Sequence, residues 1–544
     1  MVNKVLLLLC FLQAVTKLTI SHRNQPTVET SHGRIKGTIL RTRQPPHSQY
    51  YAFKGIPYAK PPLNHLRFKP PQNPNPWNGV KPCQKFGNPC LQISKTDGSV
   101  IGSEDCLTLN VFTNELDVTR LKPVMFWIHG GAHLRGSGSL YGPDYLVEKP
   151  IVLVTVNFRL NVFGFLTVND ENAYGNTGIK DQVAALKWVR DNIAKFGGDA
   201  SRVTIFGESS GANCVSLLQL CPRTKGLYHQ VIVQSGSALN SRYLQRNPLK
   251  YVYNIANYFN VSSETTKTMV EGLQTIDAKE LTKVAHNYKA MRYTQNLQAG
   301  PFYPVIEVDN PGAIITDSPF ELMKSGKLNP IPFIAGYNTD EGTLGLKIVN
   351  STMNISDFDE KYELFAPRSL NNEDNQVSIG KVVRGYFLGN SSATNVDKLS
   401  KFLGQELLVR GIRKQADFQR QYSRGYFYRF GYKGTNTAGP GVGHAEELQY
   451  LFKQEAPNEV TDQDILTRRR MVEMWTNFAI FGSPLPDDTL VSENVSWKEC
   501  QSSGPLNFLK IGTSVTQGTN PDDQTYRFWK ELFNKFGVEP YQTY

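Results

Sequence analysis

The stretch Thr204–Cys214, TIFGESSGANC, places Ser209 between two glycines at a junction of two kinds of structure. The residues VTIF that lead into it form an unbroken β-type run, which predicts a buried strand. Ser210 to Leu220 then predicts the start of a helix. A serine in such a tight strand-to-helix turn has the G-x-S-x-G arrangement that exposes a reactive hydroxyl. A glycine- and serine-rich turn without chemistry fits the same letters, so the rest of the chain must decide.

Other β-type runs recur along the chain and alternate with helical patterns. They lie at 123–128, 151–157, 202–206, 231–235, 332–336 and 426–431. Most lack polar/apolar alternation, which is typical of strands buried on both faces of a sheet. DQVAALKWVRDNIAKFGG, between two of them, has apolar residues at spacings of three and four and ends at Gly197-Gly198. This alternation predicts an α/β fold with a mostly parallel central sheet and helical insertions at 240–330 and 345–425.

Length and composition are those of a globular protein. Of the 544 residues, 40% are apolar and 20% are charged. The sequence has no linker-like run and no repeat, so we expect one large domain over residues 22–544. The net charge is +11, but the Lys and Arg are scattered and no nucleic-acid motif is present. We therefore expect no nucleic-acid partner. The absence of a C-x-x-C pair argues against a zinc site.

The first 21 residues, MVNKVLLLLCFLQAVTKLTIS, have a short basic start and an apolar run too short to span a bilayer. They predict a signal peptide over 1–21 and a secreted protein. No later stretch of the sequence contains about 18 consecutive apolar residues, so we expect no transmembrane anchor. Secretion allows glycans on surface loops, and the candidate sequons are Asn260, Asn350, Asn354, Asn390 and Asn494.

A nucleophilic serine needs a base for its proton, and the base needs an orienting acid. In α/β enzymes of this kind the chain order is serine, acid, histidine. Three histidines follow Ser209. Too few residues separate Ser209 from His229 for a loop that carries the acid to lie between them. His286 lies in a predicted helical insertion. His444 lies in a glycine-rich loop after the predicted strand at 426–431, so it is the favoured base.

The acid has two candidates in IPFIAGYNTDEG, where a predicted buried strand and a turn lead into Asp340-Glu341-Gly342. Either carboxylate could instead cap a helix. By their position in the sequence alone, Asp340 and Glu341 are nearly equal candidates for the orienting acid.

Backbone amides for an oxyanion are expected in two places. His129-Gly130-Gly131-Ala132 directly follows a predicted strand, and its small residues allow N–H groups to point into a cavity. Ala212 lies near the N-terminal end of the predicted helix after the serine and would supply a further amide.

Together with longer motifs, these features resemble the type-B carboxylesterase/cholinesterase family, most closely its secreted insect carboxylesterases. The likeness begins at about residue 27 and extends to the C-terminal helices. The motifs that carry it, in chain order, are YYAFKGIPYAKPP with LRF, SEDCLTLNVF, GNTGIKDQVAALKWVRDNIAKFGGD and MWTNFAIFGSP. The resemblance implies an α/β-hydrolase fold, a deep gorge to Ser209 and chemistry without metal or cofactor.

The resemblance also implies roles for individual residues. The family's triad acid is the glutamate before a glycine, which here is Glu341. Its oxyanion donors correspond to Gly131, Ala132 and Ala212. A family disulfide corresponds to Cys90 and Cys106.

Three departures from the family concern the pocket. His133 stands in the glycine loop where an aromatic residue is usual. The stretch LQISKTDGSVIGSED, at 91–105, has no aromatic residue where cholinesterases keep a choline-binding Trp. The nucleophile motif GESSG differs from the GQSAG typical of juvenile hormone esterases, which weakens a hormone-specific assignment.

The sequence therefore predicts a secreted serine carboxylesterase that hydrolyses neutral carboxylic esters, with Ser209 as nucleophile, His444 as base and Glu341 as orienting acid. A non-catalytic adhesion or binding protein on the same fold is the alternative from another class. Such proteins lose a triad residue and often carry a membrane segment, so this chain fits them poorly. A slow-turnover ester scavenger stays open, as do the natural ester and the oligomeric state.

Overall fold

The computed structural model describes residues 25–293, 300–435, 437, 439–453, 460–486 and 495–544. The predicted signal peptide and the sequon at Asn494 lie outside the described residues. The other predicted sequons are exposed, at Asn260, Asn350, Asn354 and Asn390.

The centre of the described chain is a mixed sheet of eleven strands, in the order β16-β15-β14-β13-β12-β11-β9-β10-β8-β4-β3. In chain order the strands are β1 (Thr27–Thr30), β2 (Gly33–Lys36), β3 (Thr38–Arg41), β4 (Gln49–Pro57), β5 (Val80–Pro82), β6 (Gln92–Ile93), β7 (Val100–Ile101), β8 (Thr108–Thr113), β9 (Lys122–Ile128), β10 (Val152–Val156), β11 (Gly198–Glu208), β12 (Gln230–Gln234), β13 (Phe333–Asn338), β14 (Gly425–Phe430), β15 (Asn507–Ile511) and β16 (Val515–Thr519). Strands β1, β2 and β5 form a small separate sheet, and β6 pairs with β7.

The middle of the large sheet is parallel, from β10 through β9 and β11 to β15. Its two margins are antiparallel: β8, β4 and β3 on one side, β16 on the other. The six predicted strand runs correspond to β9 to β14, so the predicted α/β-hydrolase architecture is confirmed. A sheet whose strands extend from Thr38 to Thr519 is consistent with a single domain over 22–544, which stays a prediction.

The helices that cover the sheet are α1 (Asn161–Phe165), α2 (Thr177–Asn192), α3 (Ser210–Leu220), α4 (Leu249–Tyr258), α5 (Thr266–Thr275), α6 (Ala278–Tyr293), α7 (Pro319–Lys324), α8 (Gly342–Thr352), α9 (Asp357–Glu360), α10 (Gln376–Phe387), α11 (Val396–Gly404), α12 (Arg410–Gln419), α13 (Asp462–Phe481) and α14 (Asp523–Phe536). The predicted helix before Gly197 is α2 with a short 3-10 extension, and Gly197 ends it with φ 77°.

The sheet is buried on both faces because alternate residues of its strands enter two different hydrophobic cores. In β9, Phe126 and Ile128 belong to one core, whereas Met125 and Trp127 belong to the other. Every residue of β9 is buried. This explains why the strand reads as a continuous apolar run instead of an alternating one.

A disulfide joins Cys90 to Cys106 with an S–S distance of 2.07 Å, as the family resemblance implied. It closes the segment that contains β6 and β7. The other cysteines of the described residues are buried free thiols at Cys83, Cys214, Cys221 and Cys500. No helix within the described ranges is long and apolar enough to cross a bilayer.

Candidate active site

The candidate nucleophile occupies a strained turn between β11 and α3. Ser209 has φ 58° and ψ −124°, a region that costs a residue with a side chain about 1–3 kcal/mol. Neighbouring glycines make the turn possible. A Cβ on Gly211 would lie 2.1 Å from the carbonyl oxygen of Ile128, and one on Gly236 would lie 2.1 Å from that of Ser209. Gly211 of the motif and Gly236, which follows β12, are therefore required by the close approach of the backbone around Ser209.

His444 and Glu341 come together at the carboxyl ends of two neighbouring parallel strands. Glu341 follows β13, and His444 follows β14. The imidazole Nδ1 lies 2.6 Å from Glu341 Oε2. The other carboxylate oxygen of Glu341 accepts hydrogen bonds from Ser235 Oγ at 2.6 Å and from the backbone N–H of Asn338 at 2.8 Å. The carboxylate of Glu341 is thus fixed in position. Because it contacts Nδ1 of His444, the other ring nitrogen, Nε2, is directed away from the carboxylate.

The other candidate acid, Asp340, has a different role. Its Oδ1 accepts a hydrogen bond from Ser400 Oγ at 3.0 Å. Of the two adjacent carboxylates, the structure brings Glu341 to His444 and ties Asp340 to helix α11. The remaining histidine candidates are also accounted for: His229 lies beside the β11 backbone at Val203, and His286 lies on α6.

The hydroxyl of Ser209 lies 3.1 Å from the hydroxyl of Tyr243. In the described residues its hydrogen-bond contacts do not include His444. The imidazole Nε2 instead lies 3.0 Å from Oε1 of Glu208, the residue before the serine. Catalytic hydrogen bonds are often loose without substrate and tighten in the complex, so the contact of His444 with the residue before Ser209 is compatible with a role as its base.

Three buried carboxylates surround the imidazole. Burial raises the pKa of Glu208, and the nearby Glu447 and Glu341 add to that effect. Burial also raises the pKa of Glu447, to about 7. For His444, burial favours the neutral ring, but the charges of Glu208 and Glu341 outweigh it and raise the pKa above its usual 6.5. The site thus stabilises an imidazolium, which is the species that forms when a base takes a proton from serine.

The oxyanion candidates lie in the loop after β9. Gly131 has φ 114° and Ala132 has φ 58°, so the chain turns through left-handed conformations there. A Cβ on Gly130 would lie 3.1 Å from Ser209 Cβ, which places the loop directly beside the nucleophile. The N–H of His133 is occupied, since it donates to Ser210 Oγ at 3.1 Å. In the described part of the chain, the N–H groups of Gly131 and Ala132 donate no hydrogen bond.

The first turn of α3 offers further amides, because the first N–H groups of a helix have no partner within it. Ala212, the residue expected from the sequence, is buried in this turn. Ser210 directly follows the nucleophile, so its N–H is nearer to the serine along the chain than that of Ala212. The sequence-based interpretation placed Ser210 at the start of the helix but did not propose its N–H as an oxyanion donor, although its position next to Ser209 was the available signal.

Two further residues of the site were missed. Glu208 belongs to the quoted motif, but nothing in the letters GES shows that its carboxylate lies against His444. Tyr243 is 34 positions beyond the serine, and only the folded chain brings their hydroxyls together.

The pH dependence of activity gives a test of this cluster. We expect Glu208→Gln to move the lower midpoint of the kcat/KM–pH profile to lower pH by about one unit, because it removes a charge that favours the imidazolium of His444. Glu115→Gln, at an exposed carboxylate, is the matched control and should leave the midpoint in place. A midpoint that stays, or rises, in Glu208→Gln would contradict the assignment of His444 as the titrating base.

Comparisons with known proteins agree with the geometry. The sequence profile of the carboxylesterase family matches residues 24–529. The juvenile hormone esterase of Tribolium castaneum is 35% identical over 91% of this chain and 88% of its own length. The carboxylic ester hydrolase of Bombus ignitus is 30% identical over 94% of this chain and 95% of its own.

A solved structure is similar as well. The crystal structure of juvenile hormone esterase from Manduca sexta, with OTFP covalently attached, has a TM-score of 0.84 and 26% identity, covering 94% of this chain and 100% of that chain. These likenesses extend over nearly the whole described chain and include the part that holds Ser209, Glu341 and His444.

Proposed function

Since the chain belongs to the carboxylesterase family and is a carboxylic ester hydrolase, we propose that it is a secreted serine carboxylesterase that hydrolyses neutral carboxylic esters through an acyl-enzyme. The observation that carries the proposal is one juxtaposition. Ser209 lies in a strained strand-to-helix turn, and a histidine held at 2.6 Å by a buried glutamate contacts Glu208, the residue before the serine, at 3.0 Å.

In the proposed mechanism Ser209 Oγ attacks the ester carbonyl while His444 Nε2 takes its proton. Glu341, whose second oxygen is held by Ser235 and the Asn338 amide, keeps the ring oriented and stabilises its positive charge. The alcohol leaves with the proton from His444. Water then attacks the acyl-enzyme with His444 again as base, which releases the acid.

The negative oxygen of the tetrahedral intermediate is held by backbone amides. We assign this role to Gly131 and Ala132, supported by their position beside Ser209. The first turn of α3 completes the set: Ala212 is the donor that the family resemblance implies, and Ser210 is the one that directly follows the nucleophile. Loss of one such donor typically costs about 10²–10³ in kcat.

Secretion is supported by three observations. Residues 1–21 have the pattern of a signal peptide. The Cys90–Cys106 disulfide is a feature of oxidising compartments. The four described sequons are exposed, as acceptors of N-linked glycans must be. Glycan-specific cleavage of protein from the culture medium of a eukaryotic host, with a shift in mass, tests secretion and glycosylation together.

The ester specificity follows from the segment between the disulfide cysteines. Residues 91–105 contain no aromatic side chain to attract a quaternary ammonium group. Lys95 adds an exposed positive charge there, and this charge acts on Glu208, the residue before Ser209. We therefore expect p-nitrophenyl and naphthyl acetate and butyrate to be good substrates and choline esters to be poor ones.

The direct comparison uses acetylthiocholine and S-(3,3-dimethylbutyl) thioacetate, its uncharged counterpart of the same shape. The ratio of their kcat/KM values should favour the uncharged thioester by roughly tenfold, the equivalent of about 1.4 kcal/mol. A ratio in favour of the cation would contradict the proposal. If the protein were acylated once per molecule and then did not turn over, it would instead be the ester scavenger that the sequence leaves open as an alternative.

A further inference from the structure

A cavity of about 310 Å³ lies away from the candidate active site. Its lining comes mainly from α2, the turn between β1 and β2, residues 70–73, the turn after α3 and residues 311–314. Among the described residues that line it, none belongs to the candidate triad. Cys221 lines it directly after the end of α3, whereas Ser209 directly precedes that helix. The 11 residues of α3 therefore separate the two sites by roughly 15 Å.

The floor of this cavity is buried and largely apolar. Tyr58, Trp188, Cys221 and Ile314 line it and are between 2% and 4% exposed. The half-buried Ala184 lies one helical turn before Trp188 on α2, so it shares the same face of that helix. A floor of this composition favours an apolar chain or ring over water. The volume lies at the lower end of the range for small-molecule sites, roughly 300–1,000 Å³.

The walls of the cavity are fixed to α2 by polar contacts. On one side, the backbone N–H of Ser31 donates to Asn192 Oδ1 at 2.8 Å. On the other, Lys180 Nζ pairs with one carboxylate oxygen of Glu307. The second oxygen of Glu307 accepts from the backbone N–H of Ile314 at 2.8 Å. The cavity is therefore formed before any ligand enters, which reduces the entropic cost of binding.

Two cations line the cavity without a charged or hydrogen-bonding partner for their side chains in the described part of the chain. They are Lys187 on α2 and Arg223 in the turn after α3, and both are exposed. The other lining groups that are charged near neutral pH have partners. Lys180 has the ion pair given above, and Asp191 pairs with Arg190 at 2.7 Å. The unpaired charge around the cavity is therefore positive.

The histidine in the lining does not alter this balance near neutral pH. Burial lowers the pKa of His32 below its usual 6.5, so its ring is neutral there. The guanidinium of Arg223 also acts on the floor: burial raises the pKa of the Cys221 thiol, and the charge of Arg223 opposes that rise. A positive rim thus adjoins an apolar floor.

This combination suits a ligand with two parts. A guanidinium presents paired N–H donors in a fixed fork that matches a carboxylate, and a lysine adds a mobile point charge. The apolar floor gains free energy only from a ligand that also has a hydrocarbon part. A small inorganic anion would use the rim alone, and a neutral hydrocarbon would use the floor alone.

We propose that this cavity is a second ligand site that binds an amphipathic carboxylic acid, with its chain or ring on the floor and its carboxylate paired with Lys187 and Arg223. Carboxylic acids are one of the two product classes of the proposed reaction. Binding at this site requires no turnover, so the proposal is independent of the proposed function.

The test measures the binding of three small molecules by isothermal titration calorimetry. Octanoate has both parts of the ligand, 1-octanol has the chain without the charge, and acetate has the carboxylate without the chain. Octanoate should bind more tightly than either of the others by roughly tenfold or more, because only octanoate uses the floor and the rim together.

Charge variants locate the carboxylate. The double variant Lys187→Gln/Arg223→Gln should weaken octanoate binding by roughly tenfold and leave 1-octanol binding unchanged. Arg120→Gln/Lys195→Gln is the matched control, since it removes one arginine and one lysine that are exposed and do not line the cavity. It should bind octanoate as the wild type does. Circular dichroism checks the fold of each variant.

A filled floor locates the hydrocarbon part. Ala184→Phe places a ring in the cavity and should weaken octanoate and 1-octanol alike. Ala194→Phe is its control, because Ala194 is exposed in the 3-10 turn after α2 and does not line the cavity. Binding in this control should equal that of the wild type.

Several results would overturn the proposal. Octanoate binding that is unchanged in Lys187→Gln/Arg223→Gln or in Ala184→Phe would place the acid elsewhere, for example at the candidate active site. Equal affinities for octanoate and acetate, or for octanoate and 1-octanol, would remove the role of the floor or of the rim. A wild-type protein that does not bind octanoate would refute the second site and leave the proposed function standing, since ester hydrolysis is measured separately.

Discussion

Ser209→Ala is expected to lower kcat for p-nitrophenyl butyrate by about 10⁴ to 10⁶ while leaving the protein folded. The expected loss is large because in the proposed mechanism the serine oxygen forms the covalent bond to the acyl group, and alanine has no oxygen to replace it. The fold survives because alanine needs no more space than serine and adopts the same backbone conformation. Steady-state hydrolysis by the purified variant, with matched circular dichroism, measures both effects.

Ser201→Ala is the matched control for this variant. Ser201 lies on the same strand, β11, but it is exposed and bonds to Asp199 away from the site. It should hydrolyse the ester at the wild-type rate. If Ser209→Ala kept more than about a tenth of wild-type kcat, against a typical loss of several orders of magnitude, the nucleophile would have to be another residue.

Glu341→Gln is expected to lower kcat by about 10⁴, the size of the loss when a triad acid becomes an amide. The amide keeps the shape of the side chain and can still accept from Ser235 and the Asn338 N–H. It no longer supplies the negative charge that orients the ring of His444 and stabilises its imidazolium. The loss should appear in kcat and in kcat/KM alike.

The neighbouring residue gives a direct contrast. Asp340→Asn changes a carboxylate one position away that contacts Ser400 Oγ at 3.0 Å, so we expect only a small effect on kcat. The pair is informative because sequence position leaves the two acids close to even. A larger loss in Asp340→Asn than in Glu341→Gln would reverse the assignment.

The middle of the sheet was predictable from the sequence because its strands are buried on both faces. Strands β9 and β10 are buried from end to end and are mostly apolar, as is typical of strands covered on both faces. The margins were not predicted. In β16, VTQGT, only the first residue is buried, and β3 is TILR without a buried residue. Short edge strands of this kind are stabilised by their pairing with a neighbour, which local sequence does not show.

The site could be predicted to the extent that its residues lie in local motifs. The serine turn, the glycine loop and the histidine loop each follow a recognisable strand, and parallel strands bring their carboxyl ends to one edge of the sheet. The choice between Asp340 and Glu341 could not be predicted in this way. The two residues are adjacent in one turn, and their side chains have different partners, which depend on how α8 packs against α11 in the folded chain.

Tyr243 was beyond the reach of sequence reasoning for the same kind of reason. It lies in a short 3-10 turn after β12 that carries no motif, and only the folded chain brings its hydroxyl to that of Ser209.

The most direct test of the central claim is to trap the acyl-enzyme. The protein is mixed with p-nitrophenyl butyrate, quenched with acid within the first turnover, and examined by intact-mass and peptide mass spectrometry. The account predicts the added mass of one butyryl group, located on Ser209 and absent from Ser209→Ala. Stoichiometric butyrylation of another residue, or rapid hydrolysis with no acylated protein detected under conditions where p-nitrophenol is released in a burst, would contradict it.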